Sequence, residues 1–167
     1  LEDLNGAVEY LKRSPNVDAA RIGIIGVCQT GRQPLLIAAK RSDIAGAVVL
    51  YGGIGGKEWL SNDLRPTPVE DLLAQVNCPV LGIFGEADHI ISVDDVTRFR
   101  NALEKAKKDY QIRIYRDAPH GWLNNTMPGR YRKQPAKDAW NLMMSFLKKC
   151  FANGWDMDRV SWTFESD

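Results

Sequence analysis

Arg21-Ile22-Gly23-Ile24-Ile25-Gly26-Val27-Cys28-Gln29-Thr30-Gly31 is the stretch whose reading decides the fold. Arg21 to Val27 is a short run, apolar on both of its faces. That pattern suits a parallel strand buried at the centre of a sheet and covered by helices. Gly31 to Lys40 then reads as a helix, with Pro34 tolerated because it falls near the start. A buried strand therefore runs almost directly into a helix, with a cysteine at the join.

Working outward, the same alternation continues in both directions. Upstream, Leu4, Ala7, Val8 and Leu11 recur at helical spacing over Leu4 to Arg13, and Ser14-Pro15-Asn16 ends that helix. Downstream, Ala45 to Tyr51 is a second strand, closed by Gly52-Gly53, and Val69 to Val76 is a short helix. Between them the stretch Ile54 to Pro68, rich in Gly, Pro and charge, is a surface excursion. Pro79 to Phe84 is a third strand. Val93 to Lys107 is a helix with Val96, Phe99, Leu103 and Ala106 on one face, and Tyr110 to Tyr115 is a fourth strand. Ala136 to Phe151 is the last helix, and Val160 to Phe164 has the composition of a small edge strand. Strands separated by helices give an α/β class: one mostly parallel sheet with helices on both faces.

The totals agree with one domain over residues 1–167. The chain is 44% hydrophobic and 26% charged, with a formal net charge of +1, which gives no electrostatic reason to expect nucleic acid or a membrane surface as partner. No apolar run approaches the roughly 20 residues of a spanning helix, and no signal peptide is visible. Cys28, Cys78 and Cys150 are three widely spaced cysteines, neither a disulfide framework nor a zinc motif, so a reducing, cytoplasmic setting is expected, with no metal and no cofactor.

In such a sheet ligands bind beyond the carboxyl ends of the strands. Strand one ends at Cys28, strand three at Gly85-Glu86-Ala87-Asp88, and strand four at Asp117-Ala118-Pro119-His120-Gly121. A nucleophile, an acid and a base come in that order, the chain order of the α/β-hydrolase triad. Gly26 stands two before Cys28, as a sharp strand-to-helix turn asks. Thr30 stands two after it, where a glycine is usual, and Gly31 follows.

Three segments, Gly-Val-Cys-Gln-Thr-Gly at 26–31, Phe-Gly-Glu-Ala-Asp-His at 84–89 and Ala-Pro-His-Gly-Trp at 118–122, resemble the catalytic blocks of the dienelactone hydrolase (carboxymethylenebutenolidase) family. The resemblance runs from about Leu4 to Phe151. It implies an α/β-hydrolase sheet and a hydrolase of small esters or lactones, with Cys28 as nucleophile, His120 as base and Asp88 as its partner. Chemically, Cys28 attacks a carbonyl to form a thioester, His120 then activates water, and the Gln29 N–H stabilises the oxyanion. The resemblance further implies strands ahead of the nucleophile strand, together with a glutamate and an arginine of the site, and these are not found in this sequence. Two outcomes follow: a further N-terminal segment, or a homodimer that covers the edge near Arg21 to Val27.

Other residues carry weaker expectations. Tyr51, Trp59 and Trp122 either line an apolar pocket or pack in the core, and Arg130 is placed to meet an anionic substrate. The family's arginine shortly after the histidine is replaced here by Asn124. His89 is the alternative base, while Cys78 and Cys150 are packing residues. The competing functions are an inactive hydrolase-fold interaction protein and a cysteine thioesterase or peptidase, which the same triad serves equally well.

Overall fold

The structure is a computed structural model, and it describes residues 1–152 and 162–166. The strands are β1 (Gly23–Val27), β2 (Gly46–Leu50), β3 (Val80–Gly85), β4 (Tyr110–Tyr115) and β5 (Trp162–Ser166). The helices are α1 (Glu2–Arg13), α2 (Gln33–Lys40), α3 (Val69–Gln75), α4 (Val93–Lys105) and α5 (Lys133–Phe151). All neighbouring strands are parallel, in the simple order β1-β2-β3-β4-β5. Among the described residues no helix is long and apolar enough to cross a membrane.

Alternating strand residues feed two cores. On one face Ala47, Val49, Val80, Phe84, Ile112 and Ile114 pack with residues of α1 to α4, among them Val8, Leu35, Leu72 and Phe99. On the other, Val48, Leu50, Leu81 and Ile83 meet Ala139, Met143, Phe146 and Leu147 of α5. The parallel order forces every strand-to-strand connection over a face, and the two buried faces explain why β2 and β3 are apolar throughout.

Several boundaries differ from the sequence reading, each for a local reason. The first helix after Cys28 is preceded by a tight 3₁₀ turn, Cys28–Thr30, so regular α-helix starts only at Gln33, with Pro34 in its first turn. The last helix begins at Lys133, three residues early, because Pro135 also sits in a first turn, where its missing N–H is harmless. In the tail the strand is Trp162–Ser166. Val160 and Ser161, where the sequence placed its start, lie outside the described residues.

Among the described residues β1, the strand that leads to Cys28, lacks the expected helix cover on one face. β1 forms one edge of the described sheet, and Ile25 and Val27, which share the α5 face, are 41% and 38% exposed.

Candidate active site

The Cys28 backbone is held in the left-handed region, φ 54°, where a residue with a Cβ is strained. Three neighbours make this possible. Gly26 leaves no room for a side chain, since a Cβ there would overlap the Thr30 carbonyl and lie 2.5 Å from Pro34 Cδ. Thr30, the residue that departs from the usual glycine, closes the turn itself: its hydroxyl donates to the Val27 carbonyl and accepts from the Val27 N–H, both at 2.9 Å. The need for a bare backbone falls instead on Gly31, where a Cβ would stand 2.5 Å from the Gly52 carbonyl carbon. Gly52 in turn lies against the Cys28 carbonyl, and Gly53, φ 73°, against Gly31 and Arg32. The turn after β1 and the turn after β2 are thus locked backbone to backbone.

Cys28 Sγ lies 3.0 Å from His120 Nε2, and His120 Nδ1 lies 2.9 Å from Asp88 Oδ2. The Asp88 side chain is wholly buried, and its other oxygen accepts from the N–H groups of Ile90, at 2.7 Å, and Ile91, at 3.0 Å. An ionised carboxylate only accepts. It therefore fixes the His120 proton on Nδ1 and turns the Nε2 lone pair toward the sulfur. Such an arrangement has the chemistry to accept a proton from the thiol and to hold the imidazolium so formed beside a buried carboxylate.

His120 sits on a loop shaped by Asp117, φ 53°, and Gly121, φ 80°. The ring of Tyr51 meets it edge-on at 5.2 Å, with Trp122 behind at 5.9 Å from Tyr51. Burial, followed by the negative charges of Cys28 and Asp88, pushes the Tyr51 phenol up from its ordinary pKa. His89, the alternative base, is exposed with its ring 6.3 Å from His120, and it is His120 that reaches the sulfur.

The weaker candidates separate. Tyr51 and Trp122 pack with Cys28 in the α5-side core. Trp59 belongs to the opposite core, donates its indole N–H to the Ile54 carbonyl at 2.7 Å and lies under the Arg98 guanidinium. Arg130 runs beside Gly121, about 4 Å from where a Cβ there would stand, one residue from His120. Gln29 follows Cys28 within the 3₁₀ turn. Among the described residues no cluster of three or more His, Cys, Asp or Glu side chains is arranged to hold a metal ion.

Sequence reasoning missed Arg32. It is 7% exposed, pairs with Glu58 at 3.0 Å and donates to the Thr67 carbonyl, so it ties the 54–68 excursion to the start of α2. Its signal was available: a basic residue five positions after Val27, directly ahead of the apolar helix Pro34 to Ala39. A concavity of about 380 Å³ lies at the opposite end of the sheet, lined by Ser42, Asp43, Asn77, Cys78 and Cys150 among others. It holds no acid–base–thiol relay like the one at the carboxyl end.

A cysteine on a tight turn after β1, a buried acid after β3 and a histidine after β4 of one parallel sheet have the arrangement of the α/β-hydrolase class. The profile of the Dienelactone hydrolase family matches residues 1–151, and the chain belongs to that family. It is 33% identical over 149 residues to a Methylorubrum extorquens protein named "Putative carboxymethylenebutenolidase", covering 89% of this chain and 50% of that one. The crystal structure titled "Putative Dienelactone Hydrolase" from Klebsiella pneumoniae superposes with a TM-score of 0.80 at 31% identity, covering 88% of this chain and 59% of that one. The acylaminoacyl peptidase of Pyrococcus horikoshii shares the fold, with a TM-score of 0.73 at 19% identity, over 90% of this chain and 27% of its own. The chain thus spans about half the length of the curated relatives it matches.

Proposed function

We propose that this chain carries the nucleophile, base and acid of a hydrolase of small carboxylic esters or lactones, working through a thioester on Cys28. The observation that carries the reading is the continuous relay from Sγ to Nε2 and from Nδ1 to the buried Asp88 carboxylate. Family membership supports the reaction class. In the forward step His120 takes the thiol proton and the sulfur adds to the carbonyl. The same proton then goes to the leaving oxygen, and in the second step His120 activates water against the thioester. Gln29 N–H serves as one oxyanion donor, and Tyr51, Trp122 and Arg130 border the substrate.

We further propose that the open edge of β1 pairs with additional strands, from another segment of the same protein or from a second copy. Exposed Ile25 and Val27 on a strand paired along one edge only support this, as does the greater length of the relatives. The test is turnover of p-nitrophenyl acetate and of a small enol lactone by the full-length protein. Hydrolysis should fall by about 10⁴-fold or more in Cys28→Ala, and a thioester should be trapped by intact-mass measurement. Full activity of Cys28→Ala would overturn the mechanism.

A further inference from the structure

Tyr51 stands directly after β2. The register pairs Val27 with Leu50, so the residue that follows each strand, Cys28 and Tyr51, emerges side by side at the carboxyl edge. Its backbone is committed to that place. Its N–H donates to the Ile83 carbonyl at 2.8 Å, its φ is 30°, and the next residue, Gly52, is packed on the Cys28 carbonyl. A tyrosine kept in a sparsely populated conformation beside a nucleophile is the kind of strain that collects at working sites.

The three tyrosines that end or begin strands use their hydroxyls differently. Tyr110 donates to Glu104 at 2.9 Å, and Tyr115 donates to Asp138 at 2.6 Å. The Tyr51 hydroxyl makes no protein hydrogen bond among the described residues, although the residue is only 4% exposed. The hydroxyl oxygen itself still reaches solvent, so it is free to meet an acceptor that arrives there. The phenol also keeps its proton, because burial and the charges of Cys28 and Asp88 raise its pKa. It is therefore a neutral donor within the electrostatic reach of the sulfur.

Resting on the triad reading above, we propose that the Tyr51 hydroxyl donates a hydrogen bond to the oxyanion formed when Cys28 attacks a carbonyl, as a second donor beside the Gln29 N–H. As the C–S bond forms, the π pair of the carbonyl moves to oxygen, and the negative charge passes from the sulfur to an atom two bonds away. Tyr51 O–H stabilises that charge without giving up its proton. On collapse the pair returns to the carbonyl, the alkoxide leaves with the proton held by His120, and the phenol is unchanged. The donor matters only while the oxygen carries charge, so it lowers the barrier rather than tightening substrate binding.

The experiment compares two reactions of the same sulfur in the full-length protein. Acylation by p-nitrophenyl acetate, read as the p-nitrophenol burst, builds an oxyanion, whereas alkylation by iodoacetamide builds none. Tyr51→Phe keeps the ring against His120 and removes only the hydroxyl. The expected result is acylation slowed about 10- to 10³-fold with KM little changed, and alkylation of Cys28 within about twofold of wild type. Acylation within about twofold of wild type would overturn the proposal. So would acylation and alkylation falling together, which would mean that the hydroxyl acts on the reactivity of the sulfur and not on the oxyanion. A burst that persists in Cys28→Ala would defeat the triad reading and this one with it. A burst lost in Cys28→Ala but intact in Tyr51→Phe defeats the tyrosine alone.

Discussion

The two ends of this sheet hold thiols in opposite circumstances. At the carboxyl end Cys28 is partly exposed, strained and 3.0 Å from an imidazole nitrogen. At the amino end Cys78 and Cys150 are buried, 3% and 5% exposed, and line the same concavity. Burial, reinforced by the neighbouring Cys150, pushes the Cys78 thiol up to about 12. Backbone strain divides the same way: among the described residues Cys28, Tyr51, Gly53, Asp117 and Gly121 take positive φ at the carboxyl end, and only Lys107 does so elsewhere. One sequence thus places stiff, regular packing at one end of its strands and awkward, reactive geometry at the other. The concavity at the amino end holds two thiols but no base beside either of them.

The sharpest way to break this contrast is to disturb the relay while leaving its shape. Asp88→Asn preserves size but no longer fixes the His120 tautomer, so ester turnover should drop about 10²- to 10⁴-fold, measured as kcat/KM on the aryl ester. A loss of only a few fold would mean that His120 is oriented by its loop alone.

Thiol labelling compares the two ends directly. In brief iodoacetamide treatment at pH 8, mass mapping should show Cys28 modified at least about 100-fold faster than Cys78, which reacts only as thiolate. Comparable rates would erase the distinction. The raised Cys78 pKa also has a sign in stability. The unfolded thiol ionises near ~8.5, whereas the folded one ionises near 12, so the unfolded chain loses its proton first as pH rises. The contribution is complete below about pH 8.5 and is lost on the way to pH 12. Urea midpoints of Cys78→Ala should accordingly fall less steeply over that window than those of wild type.

A smaller effect separates the strained end by stability. Gly52→Ala drives a Cβ into the Cys28 carbonyl, and the turn must shift, at a cost of about 1–3 kcal/mol. Activity should fall further than stability alone explains. Gly6→Ala, where nothing lies within 4 Å in mid-helix, should instead stabilise by about 0.5–1 kcal/mol. The weakest expected change lies at the amino end. Asp43 joins Arg41 and Lys12 in a half-buried ion network that holds its carboxyl well below the usual range. That stabilisation is present above the ordinary carboxylate pKa and is lost as acid protonates the folded form. Asp43→Asn should cost about 1 kcal/mol or less at neutral pH, with the difference shrinking toward low pH.

Much of this was legible in the chain because parallel sheets write their pattern locally. Arg21 to Val27, Ala45 to Tyr51 and Pro79 to Phe84 stand out as short apolar runs separated by helices of amphipathic period, and in β2 and β3 both faces are covered. Cys28, Asp88 and His120 could be nominated because strand ends are visible as the points where such runs stop. The order of nucleophile, acid and base needs no coordinates.

What the sequence could not decide is everything carried by contacts between distant segments. That His120 rather than His89 meets the sulfur depends on loop curvature set by Asp117 and Gly121. The use of Gly31 in place of a glycine at 30 depends on Gly52-Gly53, 21 positions away, pressing on the same turn. Trp59 and Tyr51 looked alike as aromatic candidates, and only the packing sends one to the α2–α4 core and the other against the base. Hydrophobic period is a property of neighbours along the chain and survives in the sequence. Catalytic distance is a property of neighbours in space, fixed only when the strands align and the turns at their carboxyl ends are packed against one another.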